Sequence, residues 1–436
     1  MKVFGENHKN HRKKNIQNNT QTIKDQIINK AFNYHSQGNI QQAKKFYEDF
    51  INKGFLDHRV FSNYGMILVK VGKLREAEYS IRKAIELNPM YSLGYSNLGG
   101  ILLTLGKLKE AEYSIRKAIE LNPNEAELYS NLGNILRNLG RLEEAEVTNR
   151  KAIELNPNES KAHFNLGNIL REFKKLSEAE LSFKKAIKLN PDFVEAHRDL
   201  GICLYLLKNI DMALKSIIKA NSLDNKNRTN KLLLRIFQRE QSLHNKDSKQ
   251  NSLTSCIVSP KLEKNFITFK LPVNKKLIKL LYKIKARNQE IYQFPTFGDA
   301  KGSDYQLFER KESEIDTTKK QLIDITTNYL KSDILISDSF FTIFKSGGGL
   351  VSHDHLNEID KIEGLNISKR KFSLVYYLSV GDQTCDAPGI LKLENPDQEI
   401  LPSDGLIIIF PAGRKHSVIY KGKKDRIIIG VNFYAI

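Results

Sequence analysis

Two patterns of apolar spacing divide the chain. Over roughly its first half, apolar residues recur every three or four positions, as in SNLGNILRNLGRLEEAEVTNRKAIELNP, which predicts pairs of amphipathic helices with a turn at Gly140. From about Asn265 onward come short runs: NFITFKL, SFFTIFKS, KFSLVYYLSV, GILKLEN, GLIIIFP, HSVIY and RIIIGVNFY, separated by Gly, Pro, Asp and Asn. They predict the strands of a sandwich or barrel rather than a parallel sheet. Helical stretches at Lys275 to Ile291 and Lys319 to Leu330 precede most of them.

The helical half repeats. Ala43, Ala77, Ala111, Ala145, Ala179 and Ala213 are spaced by 34 residues, and Gly65, Gly99, Gly133, Gly167 and Gly201 keep the same register, as do Pro89, Pro123, Pro157 and Pro191. Six helical hairpins follow. Small residues at Gly133, Ala145 and Ala152 let neighbouring helices approach, and Asn156-Pro157 ends a second helix because proline disfavours the helical region for its predecessor. Proline then opens the next hairpin at low cost. Over residues 24 to 227 this pattern resembles the tetratricopeptide repeat. Its end units depart, with Phe50 and Phe55 in place of Ala and Pro and with Asp224-Asn225 in place of Asn-Pro, as capping units require.

The resemblance implies an α-solenoid whose first helices form a concave wall, and hence a protein-interaction platform. Along those helices runs a column, Asn29, Asn63, Asn97, Asn131 and Asn165, ending in Asp199. In protein O-GlcNAc transferases, whose superhelix is similar, Asn side chains grip an extended peptide. Asn63, Asn97, Asn131 and Asn165 are therefore the candidate partner-binding residues, although Asn-Leu-Gly is also common repeat consensus. The remaining β-rich stretch is too short for the paired Rossmann-like halves of a glycosyltransferase. His163 and His197, one period apart, read as surface or groove polar residues rather than a stacked pair.

The chemistry concentrates in the β-rich half, with His353 and His355 in SHDHLNE and His416 in FPAGRKHSVIY. On a strand, His353 and His355 project together while Asp354 points away, and a distant third ligand closes the site. Imidazoles and a carboxylate with open positions are what non-haem Fe(II) oxygenases use. Arg426 stands ten residues beyond His416 and shares a face with Ile428, Gly430 and Asn432. Its guanidinium suits a carboxylate, and Gly430 leaves room for a small ligand. On KFSLVYYLSV, Ser373 and Tyr377 are candidate donors into the barrel mouth, while Phe372, Leu374, Tyr376 and Leu378 form a packing face.

Residues 265 to 436 thus resemble the Fe(II)- and 2-oxoglutarate-dependent dioxygenases, including the prolyl-hydroxylase-like branch joined to tetratricopeptide repeats. The resemblance implies a double-stranded β-helix (jelly roll) with flanking helices and Fe(II) held by His353, His355 and His416. It also implies 2-oxoglutarate held at its far carboxylate by Arg426, with Tyr377 and Ser373 as further contacts. The implied activity is hydroxylation coupled to oxidative decarboxylation of 2-oxoglutarate to succinate and carbon dioxide. One position departs from the family. Its middle carboxylate ligand is replaced by His355, with Glu358 or Asp360 as alternatives that would have to bend back. The competing reading is a non-enzymatic tetratricopeptide scaffold with a degenerate oxygenase-like domain.

Charge and cysteines change this picture little. The net charge of +19 is carried mainly by Lys spread along the chain, without a nucleic-acid motif, so nucleic acid is not the expected partner. A protein or peptide bound by the repeats is. Cys203, Cys256 and Cys385 lie too far apart for a zinc knuckle or disulfide framework. The start MKVFGENHKNHRKKN lacks an apolar core and no window suits a membrane span, so a cytoplasmic protein without membrane partners is expected. The expected organisation is a disordered basic tail (1–22), the repeat array (23–227), a capping helix and linker (228–264) and the oxygenase-like domain (265–436).

Overall fold

The structure, a computed structural model, describes residues 21–247, 266–284, 287–288, 296–297, 300–302, 305–345 and 348–436. Nearly all of the expected basic tail, and the linker beyond residue 247, lie outside the described residues. The chain divides into two compact units, Met1–Leu207 and Lys208–Ile436.

The first unit contains α1 (21–36) and then α2 (Ile40–Asn52), α3 (His58–Lys70), α4 (Leu74–Leu87), α5 (Ser92–Thr104), α6 (Leu108–Leu121), α7 (Ala126–Asn138), α8 (Leu142–Leu155), α9 (Ser160–Glu172), α10 (Leu176–Leu189) and α11 (Val194–Leu206). The second unit opens with α12 (Ile210–Leu223) and α13 (Arg228–Asp247). The hairpin turns recur at one position of the repeat, where Gly38, Gly72, Gly106 and Gly140 have φ of +74°, +77°, +73° and +76°. Glycine enters this region without the Cβ penalty. Lys174 and Lys208 hold the same conformation at the next two periods, with φ of +61° and +65°. The other end of each unit obeys proline. Asn88, Asn156 and Asn190 are extended, with φ of −143°, −141° and −137°, as the residue before proline requires.

Close packing follows from the second glycine column. An added Cβ at Gly99 would lie 2.5 Å from Ile115 Cδ1, and equivalent atoms at Gly65 and Gly167 would meet Ile81 and Phe183. The partners are fully buried. Outside this core, exposed ion pairs link successive second helices, with Arg82 reaching Glu78 at 2.9 Å and Glu110 at 2.6 Å. Exposed pairs contribute little.

After α13 the second unit contains β1 (Ile267–Lys270), α14 (Lys275–Lys283), β2 (Arg287–Asn288), β3 (Thr296–Phe297), β4 (Ala300–Gly302), α15 (Ser313–Leu330), β5 (Ile334–Phe344), β6 (Gly349–His353), β7 (Lys371–Ser379), β8 (Pro388–Leu393), β9 (Gln398–Ile400), β10 (Leu406–Pro411), β11 (His416–Tyr420) and β12 (Arg426–Ala435). Two antiparallel sheets result, in the orders β1-β10-β7-β12-β5-β4-β2 and β3-β6-β11-β8-β9. Among the described residues neither closes on itself, so the expected jelly roll is met as a two-sheet antiparallel domain. The α14 helix stops at Lys283 instead of continuing to Ile291.

Alternation sorts the large sheet into two cores. Phe372, Leu374, Tyr376 and Leu378 of β7 join Ile427, Ile429, Val431 and Phe433 of β12 in one cluster with Leu277, Leu281 and Leu322 of α14 and α15. The other face supplies Tyr377, Ile408, Phe410 and Ile428 to a second cluster, shared with Leu391, Leu393 and Val418 of the small sheet.

One buried ion pair anchors the segment after β6 to the start of β7. Lys371 Nζ lies 2.7 Å from Asp360 Oδ2, both side chains being almost fully buried. Tyr434 OH donates to Asp360 Oδ1 at 2.9 Å and the Asn357 backbone N–H to Oδ2 at 2.8 Å. Removing one member leaves the other buried and unpaired. Lys371→Met is therefore expected to cost about 3–5 kcal/mol in urea unfolding of the intact protein. In the repeats, Ile115→Ala should cost about 2–5 kcal/mol, whereas Arg82→Ala should stay below about 1 kcal/mol by the same measurement.

Candidate metal centre and its cavity

β6 and β11 pair so that His353 lies opposite His416. His353 is the last residue of β6, and His355 is beyond the strand. Its ring arrives from a loop held by the His355 N–H to Ala412 carbonyl bond at 2.9 Å, not by the strand alternation expected from the sequence. One ring nitrogen from each of His353, His355 and His416 lies within 4.8 Å of the others. The alternatives for the middle position do not join them. Glu358 is exposed, and Asp360 is committed to Lys371, Tyr434 and Asn357.

The three rings open on a cavity between the sheets, lined also by Ser373, Tyr377, Arg426, Phe340, Ile428 and Asn432. Ser373 and Tyr377 project there as alternation requires. Gly430 faces the same way, but the space over it is taken: an added Cβ would come 2.3 Å from the Phe340 ring. Gly430 therefore makes room for Phe340, not directly for a ligand.

Arg426 is 2% exposed. Its guanidinium carbon stands 5.0 Å from the Tyr377 ring centroid and 5.9 Å from that of Tyr420, and Nη1 donates to the Gly389 carbonyl. Gly389 has φ +80°, and a Cβ on it would overlap Nη1. Among the described residues Nε has no hydrogen-bond partner. Among the described residues no carboxylate lines the cavity, so among them this buried cation lacks the anion that usually accompanies one.

The electrostatics favour neutral imidazoles at His355 and His416. Burial holds His416 down to about 3, reinforced by His353, while the Arg414 carbonyl accepting from Nδ1 at 3.3 Å works in the opposite direction. Burial also takes His355 well below its ordinary value, followed by His416, His353 and Lys371. Neutral rings offer lone pairs without first releasing protons.

Three contacts behind the site have no counterpart in the sequence analysis. Asn432 Nδ2 lies 2.6 Å from Asp338 Oδ1 and 3.3 Å from His355 Nδ1, while Ser373 Oγ donates to Asn432 Oδ1 at 2.7 Å. The signal available was Asn432 itself, a polar residue on the inward face of an otherwise apolar strand.

In the repeats, Asn63 donates to Tyr47 OH at 3.3 Å, Asn97 to Ser62 Oγ at 3.4 Å and Asn165 to Ser130 Oγ at 3.0 Å. These bonds join neighbouring hairpins; Asn131 is half-buried. His163 and His197 pair with the Pro157 and Pro191 carbonyls at 3.0 and 2.9 Å, local turn contacts rather than a stacked pair. Two grooves unanticipated from sequence lie one period apart between second helices, one lined by Phe61, Tyr64 and Tyr79, the other by Tyr95, Leu98 and Tyr113.

The neutral rings carry a pH prediction for the metal-free protein. Because the folded pKa is depressed, the unfolded chain binds more protons between about 6.5 and about 3. Stability is then complete above about 6.5 and falls as pH drops. His416 alone should remove about 2 kcal/mol between pH 7 and 5, read from urea midpoints in the presence of chelator; midpoints that do not decline would contradict the neutral buried ring.

Comparison with known proteins bears on the repeats. Tetratricopeptide repeat family models match residues 65–126, 126–159 and 160–193. No curated protein matches the chain. Similar solved structures include YrrB, "a TPR protein with an unusual peptide-binding site", at 24% identity over 46% of this chain and 97% of that one, with a TM-score of 0.33. Another is TTC0263, a thermophilic TPR protein of Thermus thermophilus, at 21% identity over 42% of this chain and 100% of that one, with a TM-score of 0.39. The Cut9-Hcn1 hetero-tetramer of APC/C aligns at 16% identity over 47% of this chain and 41% of that one, with a TM-score of 0.43. None of the described helices is long and apolar enough to cross a membrane. Residues 65–193 are tetratricopeptide repeats, and the chain joins this protein-interaction scaffold to an antiparallel two-sheet domain.

Proposed function

We propose that the two-sheet domain is an Fe(II)- and 2-oxoglutarate-dependent hydroxylase and that the repeats recruit its peptide or protein substrate. The observation that carries this reading is the cavity, which brings three imidazoles together with a buried arginine that no carboxylate accompanies among the described lining residues. The donor set fits a divalent metal: imidazole suits iron, and three ligands leave positions open for an oxo-acid and dioxygen. The unpartnered Nε of Arg426 fits a carboxylate, whose charge would answer the buried guanidinium.

The strand order supports the same reading. β5, β7, β10 and β12 fall in one sheet in the order β10-β7-β12-β5, and β6, β8, β9 and β11 in the other as β6-β11-β8-β9. Eight strands from β5 to β12 thus wind between two sheets, as in a jelly roll.

His353, His355 and His416 would hold iron, which supplies the redox chemistry toward dioxygen. The chain's residues supply the setting. Arg426 would orient a dicarboxylate in the cavity, Tyr377 lies against the guanidinium with its ring centroid 5.0 Å from the guanidinium carbon, and Ser373 holds Asn432. Phe340, Phe344, Leu391 and Ile428 exclude water from the cavity. Phe344 and Leu391 also belong to the inter-sheet core.

Anaerobic Co(II) or Fe(II) titration, followed by succinate formation from 2-oxoglutarate with candidate peptides, tests the proposal. Wild type should bind one metal and turn over; His416→Ala should lose metal affinity about 10–100-fold or more. Arg426→Met should keep the metal and lose 2-oxoglutarate affinity. A wild type that binds no metal removes the enzyme reading and leaves the scaffold.

A further inference from the structure

The side chains behind His355 pose a proton-accounting problem. As placed, the Asn432 amide nitrogen donates to both Asp338 Oδ1, at 2.6 Å, and His355 Nδ1, at 3.3 Å. A neutral His355 that accepts at Nδ1 carries its proton on Nε2. Nε2 is the nitrogen Asn432 leaves unengaged, and protonated it has no lone pair for a metal.

The amide fits its site in either of two orientations, and the hydrogen-bond network decides between them. With the amide turned over, its oxygen lies 3.3 Å from His355 Nδ1 and its nitrogen 2.7 Å from Ser373 Oγ. Nδ1–H then donates to the oxygen, Nδ2–H donates to the serine, and Nε2 keeps its lone pair. The same oxygen stands 2.6 Å from Asp338 Oδ1, a separation that requires a shared proton. Asp338 can supply it. Burial raises its pKa, against the opposing effects of Ser337, Asn432, Lys371 and Arg228, and Ser337 Oγ donates to the other oxygen at 2.8 Å.

We propose that Asn432 is the positioning residue of the middle ligand, its amide oxygen accepting from His355 Nδ1 and from a protonated Asp338, so that His355 offers Nε2 to the metal. This gives the site a neutral acceptor in the place where metal-bound histidines commonly use a carboxylate or carbonyl. Its purpose rests on the metal reading above. Its geometry does not, and the test separates the two.

Long-range 1H–15N NMR of the metal-free full chain at neutral pH reports which ring nitrogen of each histidine is protonated, with His355 identified by the signals missing in His355→Gln. Wild type and Asn432→Asp, which retains an acceptor, should both show His355 protonated at Nδ1. Asn432→Leu should lose that preference, and its Co(II) affinity should fall about 10–100-fold while Asn432→Asp stays close to wild type. A wild-type His355 protonated at Nε2 overturns the proposal, as does unchanged Co(II) affinity in a folded Asn432→Leu. Should the leucine variant fail to fold, the spectra of wild type and Asn432→Asp decide. A wild type that binds no Co(II) defeats the hydroxylase reading, and the tautomer still decides this one.

Discussion

The register of β12 is the constraint on which the second unit depends. Its ten residues are all buried, pairing with β5 on one side and β7 on the other. Every second side chain enters the helix-covered core; the alternate ones, Arg426, Ile428, Gly430 and Asn432, face the cavity. A slip of one residue would send Arg426 among the leucines of α14 and α15 and put isoleucines behind the histidines. Neither core would survive that exchange. The apolar set of β12 therefore specifies the site as much as it stabilises the fold, and the bulge between Asn432 and Phe433 on the β5 side falls where Asn432 meets Asp338.

Burying so many polar groups in one place is costly, and the cavity meets that cost in two ways. His355 and His416 become neutral: desolvation and the neighbouring imidazoles lower their pKa values, so neither carries a charge into the low-dielectric space. Arg426 cannot do this. Although burial lowers its pKa, a guanidinium stays protonated at neutral pH, and the fold answers it with backbone carbonyls and the faces of Tyr377 and Tyr420. That answer is incomplete at Nε. Lys371, by contrast, is matched by Asp360 at 2.7 Å. Among the buried cations of this domain, Lys371 is neutralised by a carboxylate of the chain, whereas Arg426 faces the cavity with backbone carbonyls and aromatic rings as its partners, which is the difference between a structural charge and one that can meet a ligand.

Much of this was legible from residue spacing, for reasons that differ between the halves. A 34-residue period reports one turn geometry used repeatedly. The φ values of +77°, +73° and +76° at Gly72, Gly106 and Gly140 show why glycine marks that turn, while Lys174 and Lys208 reach the same region without it and so hide the last two turns from a glycine search. Strand alternation placed Ser373, Tyr377 and Arg426 on inward faces. It failed at His355 because β6 ends two residues earlier and the ring returns on a loop fixed by Ala412, a tertiary contact with no local signature. It also failed at Gly430, whose missing side chain serves Phe340 on the neighbouring strand. The link between Asp338 and Asn432 spans 94 residues, a distance over which no motif operates.

The asparagines of the two units make the same point from opposite directions. In the repeats a periodic column invites a ligand-binding reading, yet Asn97 and Asn165 spend amide hydrogens on serines of the preceding hairpin. Periodicity alone cannot separate a binding ladder from an inter-repeat tie, because both require the same spacing. In the second unit a single asparagine, without any repeat to draw attention to it, joins a carboxyl, a hydroxyl and an imidazole in a buried space. There each donor must find an acceptor, and the count of protons restricts the allowed arrangements. The more informative residue is the one whose surroundings leave it fewer choices.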